Sequence, residues 1–454
     1  MSARDPIFEP FTINGVEFPN RLVRSSIGGR YAYYDGTVNP AWVHFERRFA
    51  EHGVGAIVSA TLTVDDHRWA PLEYPKISDD RFIAPIAEGV RAVQAAGSRY
   101  ILQIGDPGYH TQAGLFSEPQ DALSSSAGFD LLYGYRSTRR AMTTAQIADA
   151  IERFARASVR VRDAGCDGIE VTASKGYLIH QFLNPGINRR TDAYGGSAAK
   201  RFRFLEEIVR AIREAVGRDF LFGVRISARD FNYLPLNLRW PVATPLRDWW
   251  FGNDIDVTLD YARRLKDLGV DYLHVSNGYG FINPKENPGD FPLDEIRVFF
   301  NSTRHLGWKA AARSMLLNAL PGPVRRATGV GWKVEPGANL ADAATFRREV
   351  GLPVIANGGF QRRSLVERAL TSGSCDLVSM ARPLLANPEL PELFREGREL
   401  PDRPCTFCNR CALRTTTGPL GCYEPRRFGS QDEMEQQILA WSSPNSRAEE
   451  RERE

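Results

Sequence analysis

Eight short apolar runs recur along the chain, and a stretch with helical periodicity follows most of them. The runs cover residues 22–26, 55–61, 100–105, 168–174, 221–227, 272–277, 353–358 and 376–381. Aliphatic and β-branched residues dominate them, as in parallel strands that are buried on both faces. Eight strand–helix units predict an α/β fold, a parallel (β/α)8 TIM barrel.

Two of the intervening stretches have the pattern of amphipathic helices. Residues 147–164 and 200–216 repeat apolar positions at intervals of three and four, and each stretch precedes a glycine that can end a helix. Short right-handed connections between such units favour the closed barrel. An open doubly wound sheet remains the alternative, although no GxGxxG turn follows the first run.

Two segments are too long for a minimal barrel. Residues 231–256 follow the fifth run and residues 281–339 follow the sixth, at the strand ends where barrels carry their active-site loops. These insertions are interpreted as loops packed on the rim, lids, a partner surface or a membrane-surface patch. The predicted domains are a barrel over residues 1–400 and a cysteine-rich segment over 401–430. Residues 431–454 are polar and charged and are predicted to form a disordered tail.

Composition and charge narrow the functional classes. The chain has 454 residues, is 43% hydrophobic and 25% charged, and carries a net charge of +3, which gives no reason to expect a nucleic-acid partner. No apolar run approaches the roughly 20 residues of a transmembrane helix, and the start, MSARDPIFEP, lacks the pattern of a signal peptide. We therefore expect no transmembrane segment and a cytoplasmic location.

Four of the six cysteines crowd into one segment. Cys166 and Cys375 stand alone, whereas the other four follow a C-x2-C-x2-C-x10-C pattern: Cys405, Cys408, Cys411 and Cys422. Without an export signal, this crowding predicts a metal or cluster site rather than disulfides. The overlapping CxxCxxC triplet suits a [4Fe–4S] cluster, with tetrahedral zinc as the alternative.

The longest motif surrounds the fourth run. It reads GIEVTASKGYLIHQFLNP over 168–185, continues as NRRTDAYGGS over 188–197, and ends with RFRF over 201–204. It closely resembles the fourth-strand signature of old yellow enzyme-like NADH:flavin oxidoreductases. Further matches are NRLV at 20–23, GVRIS at 223–227, IANGG at 355–359 and MARPLLANP at 380–388. The cysteine segment is similar to that of the 2,4-dienoyl-CoA reductase and trimethylamine dehydrogenase branch, whose barrels hold FMN and a [4Fe–4S] cluster.

The resemblance implies a set of FMN-binding residues: Ser25, Ser26, Ile27, Ala60, Gln103, Arg225, Asn357, Gly358, Gly359, Ala381 and Arg382. The two glycines would let backbone N–H groups approach the phosphate, and Arg382 would add a bidentate cation. A tight turn and an ordinary salt-bridged arginine are the alternative interpretation. Arg225 would lie near flavin N1 and O2 and stabilise the reduced ring. Gly28 stands where trimethylamine dehydrogenase links a cysteine to FMN, so we expect non-covalent FMN.

The resemblance also implies the substrate side. Tyr177 matches the proton donor that completes alkene reduction after flavin N5 has delivered hydride. Thr172 and Lys175 stand where many relatives hold a substrate carbonyl. The predicted activity is reduction of an activated C=C bond, with electrons from NAD(P)H or a redox partner protein. Asp106 instead suggests oxidation of an amine or N-methyl substrate, and a non-catalytic flavin and Fe–S electron-transfer module is the third hypothesis. Homo-oligomerisation is compatible with any of them.

Overall fold

The computed structural model describes residues 5–68, 74–111, 122–129, 138–233, 245–280, 283–323, 329, 331–415 and 418–441. A short antiparallel hairpin comes first, formed by β1 (Phe11–Ile13) and β2 (Val16–Phe18). Its Ile13 and Phe18 pack with Val23, Leu221 and other residues of the barrel strands, so the hairpin extends the barrel core.

Eight parallel strands then close into a barrel, which confirms the predicted fold. They are β3 (Leu22–Arg24), β4 (Ala56–Thr63), β5 (Arg99–Gly105), β9 (Gly168–Ala173), β10 (Leu221–Ser227), β11 (Tyr272–Ser276), β12 (Val354–Ala356) and β13 (Leu377–Met380). The strands neighbour each other in chain order, and β13 pairs with β3 to complete the ring. A small three-stranded sheet lies outside the barrel, between β5 and β9: β6 (Leu123–Ser124), β7 (Gly128–Phe129) and β8 (Thr138–Ala141).

Helices separate the strands, and further helices follow the barrel. Those before β11 are α1 (Pro40–Glu51), α2 (Ile83–Ala95), α3 (Thr144–Asp163), α4 (Leu178–Leu183), α5 (Ala198–Val216), α6 (Pro245–Phe251) and α7 (Ile255–Asp267). Those after β11 are α8 (Leu293–Thr303), α9 (Trp308–Ala319), α10 (Leu340–Val350), α11 (Arg363–Thr371), α12 (Arg382–Ala386), α13 (Leu390–Arg395), α14 (Arg410–Arg414) and α15 (Gln431–Ala440).

The two amphipathic helices predicted from periodicity are α3 and α5. Helix α3 begins three residues before the predicted start because Thr143 and Gln146 form a capping box ahead of the first apolar position. Helix α5 is capped by Ser197 and ends at Gly217, whose φ of 81° is the left-handed conformation that glycine adopts without strain.

The described parts of both insertions contain helices. Helix α6 lies in the first insertion, where the rings of Trp249 and Trp250 pack against Tyr233. Helices α8 and α9 belong to the second insertion and contact each other. The parts of these predicted insertions at 234–244, 281–282, 324–328 and 330 lie outside the described residues.

The predicted disordered tail is wrong over its first part. Residues 431–440 form α15, which Ser430 caps by accepting a hydrogen bond from the Glu433 amide. Trp441 is 2% exposed and packs on Phe45 and Phe49, with ring centroids 5.4 and 5.0 Å away. One buried tryptophan thus anchors a segment whose overall polarity had suggested disorder. Residues 442–454 of the predicted tail lie outside the described residues.

In the part of the chain that the structure describes, no helix is both long enough and apolar enough to cross a bilayer.

Candidate functional site

A cavity of about 260 Å³ lies at the carboxyl ends of the barrel strands. It is lined from below by the barrel and from the sides by residues between 287 and 313, by Trp332 and by the cysteine segment. The predicted site residues that line it are Ser26, Ile27, Lys175, Tyr177, Ala381, Arg382 and Cys411. The structure therefore brings two of the three predicted substrate-side residues and the ends of β3 and β13 to one cavity, whereas Thr172 is not in its lining.

Tyr177 is placed at this cavity by the turn that follows β9. Lys175 and Gly176 have φ values of 58° and 74°, so the chain reverses before Tyr177 enters α4 as its N-cap residue. A side chain at Gly176 would collide with the ring of His110, which explains the glycine at this turn. The phenol is 4% exposed, and burial raises its pKa to about 12. It is therefore protonated at neutral pH.

Thr61 supports the phenol, and the sequence did not identify it. The Thr61 side chain hydrogen-bonds Tyr177, which lowers the tyrosine pKa and partly opposes the effect of burial. From Val58 to Thr61 a bulge makes β4 advance by three residues, with Ser59 and Ala60 in between, whereas the facing strand advances by only two, from Ile101 to Gln103. Such a bulge re-aims the side chains that follow it. The only local signal was a polar residue within an apolar strand.

Lys175 is paired with a second residue that the sequence did not identify. Its Nζ lies 2.9 Å from Oε1 of Glu286, a carboxylate that is buried in the loop between β11 and α8. Burial, and next the nearby Arg225 guanidinium, lower the pKa of Lys175. Arg225 lies 3.9 Å from the same Glu286 oxygen, and its Nη1 donates to Ser25 Oγ at 3.3 Å. Two buried cations thus face one carboxylate beneath the cavity.

Several predicted site residues lie below the cavity lining. The predicted flavin residues Ser25, Ala60 and Gln103 are buried in the barrel, and so is Thr172, which was predicted on the substrate side. The Gln103 Nε2 donates to Glu170 Oε1 at 2.6 Å, and its carbonyl accepts from Thr61. Within the described residues, Thr172 Oγ1 and Arg225 Nε are buried without a hydrogen-bond partner.

A buried polar network extends from Glu170. Tyr272 Oη donates to its carboxylate at 3.1 Å, and His274 Nδ1 lies 3.0 Å from it. His274 Nε2 continues to Ser379 Oγ at 2.8 Å. Burial lowers the pKa of His274. Burial alone would raise the pKa of Glu170, but the contact with His274 and weaker contacts hold that pKa below its usual range. The network fixes the interior of the barrel beneath the site.

The predicted phosphate-binding residues follow β12 and β13. Gly358 and Gly359 have φ values of 118° and 75°, and a side chain on Gly358 would press on the backbone of Ala338 and Asn339. Turning the Asn357 amide places its oxygen 2.9 Å from Arg225 Nη2. The backbone conformation therefore requires glycine at both positions. Close approach of a phosphate to this backbone would also require positions without side chains.

Arg382 is held between two other segments. Its Nη1 donates to the Pro288 carbonyl at 2.8 Å and to Asn409 Oδ1, and its guanidinium lies 5.2 Å from the centre of the Phe407 ring. The end of β13, the loop before α8 and the cysteine segment therefore meet at one arginine.

Asp106 does not face the cavity as the amine hypothesis required. Arg68 holds its carboxylate through Nε and Nη2, at 2.9 and 2.5 Å, and the Gly108 amide donates to it at 2.8 Å. The carboxylate is therefore neutralised inside the protein, and this expectation is corrected. Gly28, in contrast, does line the cavity, and a side chain there would overlap the Tyr74 ring.

The four predicted ligand cysteines line one small cavity next to Arg382. Phe407 and Asn409 adopt left-handed conformations that turn the chain between successive cysteines, and the Phe407 amide donates to Cys405 Sγ at 3.4 Å. Burial raises the pKa of Cys405 to about 11 and that of Cys411 well above the usual range. Among the described residues, no three His, Cys, Asp or Glu side chains converge closely enough to hold a metal ion. Cys411 lines both this cavity and the larger one.

Comparison with known proteins identifies the family. The NADH:flavin oxidoreductase / NADH oxidase family matches residues 6–233 and 323–401. An NADPH dehydrogenase of Geobacillus sp. is 30% identical over 400 residues, covering 87% of this chain and 94% of that protein. An NADH oxidase of Thermoanaerobacter brockii is 28% identical over 433 residues and 92% of this chain, which spans only 57% of the relative's length.

Solved structures agree on the fold. A 2-naphthoyl-CoA reductase in complex with 2-naphthoyl-CoA superimposes with a TM-score of 0.73 at 21% identity, covering 96% of this chain and 58% of that one. The resemblance expected from the motifs is confirmed, because the family match spans the first five barrel strands and the last two. The chain belongs to the NADH:flavin oxidoreductase / NADH oxidase family.

Proposed function

We propose that this chain is an FMN-dependent ene-reductase that uses Tyr177 to protonate the carbon next to an activating carbonyl. The observation that carries the proposal is a buried phenol, protonated at neutral pH, at a cavity on the carboxyl ends of the barrel strands. A general acid must hold a transferable proton at the working pH and must reach the substrate. Tyr177 meets the first requirement through burial and the second through its position in the lining.

The charges around the cavity favour this reaction over amine oxidation. Three cationic side chains, Lys175, Arg313 and Arg382, belong to the described lining, and no Asp or Glu does. A cationic amine would therefore meet repulsion, whereas a carbonyl that gains negative charge during reduction would be stabilised. Lys175 is the residue best placed to hold that oxygen, because it lies two residues from Tyr177 in the same lining.

The residues present fit a non-covalent FMN. Arg225 Nε and Thr172 Oγ1 are buried polar atoms that a flavin ring could engage. The Gly358–Gly359 turn carries no side chains, and backbone N–H groups of such a turn can approach a phosphate closely. Arg382 lies at the end of β13, where barrels hold phosphate groups. FMN held by these residues would supply hydride transfer between NAD(P)H and the carbon β to the carbonyl.

The chain's own groups would complete the reaction. Lys175 binds the carbonyl oxygen, and Tyr177 gives its proton to the α carbon. The Thr61 hydroxyl, which donates to Gln103 while Tyr177 is protonated, would turn its proton to the resulting tyrosinate, which then regains a proton from water. Over the cycle NAD(P)H is oxidised and the C=C bond gains one hydride and one proton.

The cysteine segment, residues 401–430, is proposed to hold a [4Fe–4S] cluster. Four cysteines around one buried cavity and an amide that donates to a cysteine sulfur support this assignment. Cluster formation would require the thiol side chains to turn toward a common centre. Such a cluster would supply single electrons to the flavin.

An absorption spectrum with iron and acid-labile sulfide analysis tests both cofactor assignments. We expect flavin bands and about four irons per anaerobically purified chain, with flavin bleaching on addition of NADH or NADPH. If the protein contains flavin but no iron, the four cysteines would be assigned to zinc instead of a cluster. Protein that neither retains nor takes up FMN would refute the proposed function.

A further inference from the structure

The outer part of the cavity is built from aromatic side chains of the second insertion and its neighbours. Phe299 and Phe300 of α8 line it, with ring centroids 5.6 Å apart. Phe291 and Trp332 also line it and form a second ring pair with centroids 5.3 Å apart. Helices α8 and α9 lie outside the residues that match the family, 6–233 and 323–401. Apart from Trp332, this aromatic wall therefore belongs to a part of the chain that the shared family pattern does not cover.

Helix α9 adds a positive charge to the same wall. Arg313 lines the cavity, and its guanidinium lies 5.8 Å from the centre of the Phe300 ring. The other two cations of the described lining come from the ends of barrel strands: Lys175 follows β9 and meets Glu286, and Arg382 follows β13 and joins the cysteine segment. Arg313 is the cation that α9 contributes to the described lining.

The size of the wall and its charge point to one class of acceptor. Paired aromatic rings favour a flat apolar group, because offset or edge-on ring contacts add to the free energy of burial. A guanidinium at a partly buried site favours a carboxylate, which it can bind through two parallel hydrogen bonds. Neither feature is needed to reduce a small enone.

Building on the proposed function, we propose that α8 and α9 form a substrate cap that selects alkene acceptors carrying an aromatic ring with an acidic substituent. The reacting double bond lies at Tyr177, the ring lies against Phe299 and Phe300, and the carboxylate is held by Arg313. The cap is then the specificity-determining part of the enzyme, whereas the barrel supplies the chemistry.

Three acceptors with the same enone unit test the proposal: 3-penten-2-one, benzylideneacetone and 4-carboxybenzylideneacetone. We expect kcat/KM of the FMN-loaded enzyme to rise from the alkyl to the aryl compound by about tenfold, as for a well-filled apolar pocket. The added carboxylate is expected to raise it about tenfold again, which is the size of a charged hydrogen bond.

Two variants locate the effects. Phe300→Ala is expected to remove most of the aryl preference, and Arg313→Gln to remove the carboxylate preference alone. Phe300→Trp fills the wall instead of emptying it, and is expected to exclude both aryl compounds while the alkyl enone still reacts. Val298→Ala changes an exposed residue of α8 and Arg304→Gln an exposed arginine just after it, and both serve as matched controls that keep all three rates.

Binding gives a readout that does not depend on turnover. The saturated product of the carboxyaryl acceptor is expected to quench tryptophan fluorescence when it binds. The Kd obtained from this quenching should rise about tenfold in Arg313→Gln. Equal rates for the three wild-type reactions, or variants that slow all three equally, would overturn the cap proposal and leave the proposed function intact. FMN-loaded enzyme that is reduced by NAD(P)H but reduces none of the three acceptors would refute the proposed function itself.

Discussion

Replacing Tyr177 with phenylalanine removes one hydroxyl from the cavity and keeps the ring that packs at the start of α4. If the phenol is the general acid, its loss should slow alkene reduction by about 10²- to 10⁴-fold, the usual contribution of a positioned acid. Reduction of the flavin by NAD(P)H needs no proton from Tyr177, so that half of the cycle should change by less than about threefold.

Stopped-flow absorbance separates the two halves, because flavin bleaching reports the first and its reoxidation by an enone under anaerobic conditions reports the second. Tyr74→Phe removes a phenol from the same cavity lining and is the matched control. Thr61→Val should slow only the second half, by about fivefold, because it removes one hydrogen bond from the developing tyrosinate. Equal slowing of both halves in Tyr177→Phe would mean a structural role and would refute the assignment.

The pH dependence provides an independent check on the same residue. Burial raises the pKa of Tyr177 to about 12, so the proton is retained at every pH below that value. The rate of alkene reduction should therefore show no loss from tyrosine ionisation up to about pH 10, the pKa of an unperturbed tyrosine. A fall with an apparent pKa between 8 and 10 that vanishes in Tyr177→Phe would contradict the burial argument.

Three further predictions concern other parts of the molecule. Trp441→Ala should lower the free energy of unfolding by about 3–5 kcal/mol, as for other buried aromatic residues. Leu439→Ala, at a side chain that is 61% exposed, should change this free energy little. Urea unfolding measures both variants, and equal losses would show that α15 is not anchored by its tryptophan. Glu286→Gln removes a negative charge beside Lys175 and should raise the reduction potential of bound FMN by some tens of millivolts, since about 30 mV corresponds to 1.4 kcal/mol for a two-electron couple. A dye-equilibration titration measures this potential. An unchanged value would mean that the carboxylate does not interact electrostatically with the flavin. Cys411→Ser should abolish bound iron and acid-labile sulfide and retain FMN, whereas Cys166→Ala should retain both, and full iron content in the former would remove Cys411 from the ligand set.

The barrel strands could be predicted because buried strands consist of consecutive apolar residues. A strand covered by helices on one side and by the barrel interior on the other needs apolar residues at nearly every position. The predicted fifth run, residues 221–227, coincides with β10, and the first run extends only two residues beyond β3. Such ends are set by hydrogen-bond geometry, which an apolar pattern does not record.

The partners within the site could not be predicted in the same way. Glu286 lies 111 positions after Lys175, in a loop rich in Gly and Pro, and no spacing links the two residues. Asp106 was misinterpreted for the same reason, because its neutralising partner Arg68 comes from a different loop. Motifs identified which residues gather at the strand ends, but only the folded loops determine which charges remain available to a ligand.

The arrangement at Arg382 explains why a substrate cap and a cysteine segment can act on one cavity. Asn409 donates through its Nδ2 to the carbonyls of Asn287 and Asp290, and accepts from Arg382 through its side-chain oxygen. The loop that leads into α8 is therefore held by a residue that lies between two of the four cysteines. Because binding of a metal or cluster stabilises the fold of its ligand segment, an occupied cysteine site would also fix this loop and the cap that follows it. Electron supply and substrate selection would then depend on the same few hydrogen bonds at the edge of the barrel.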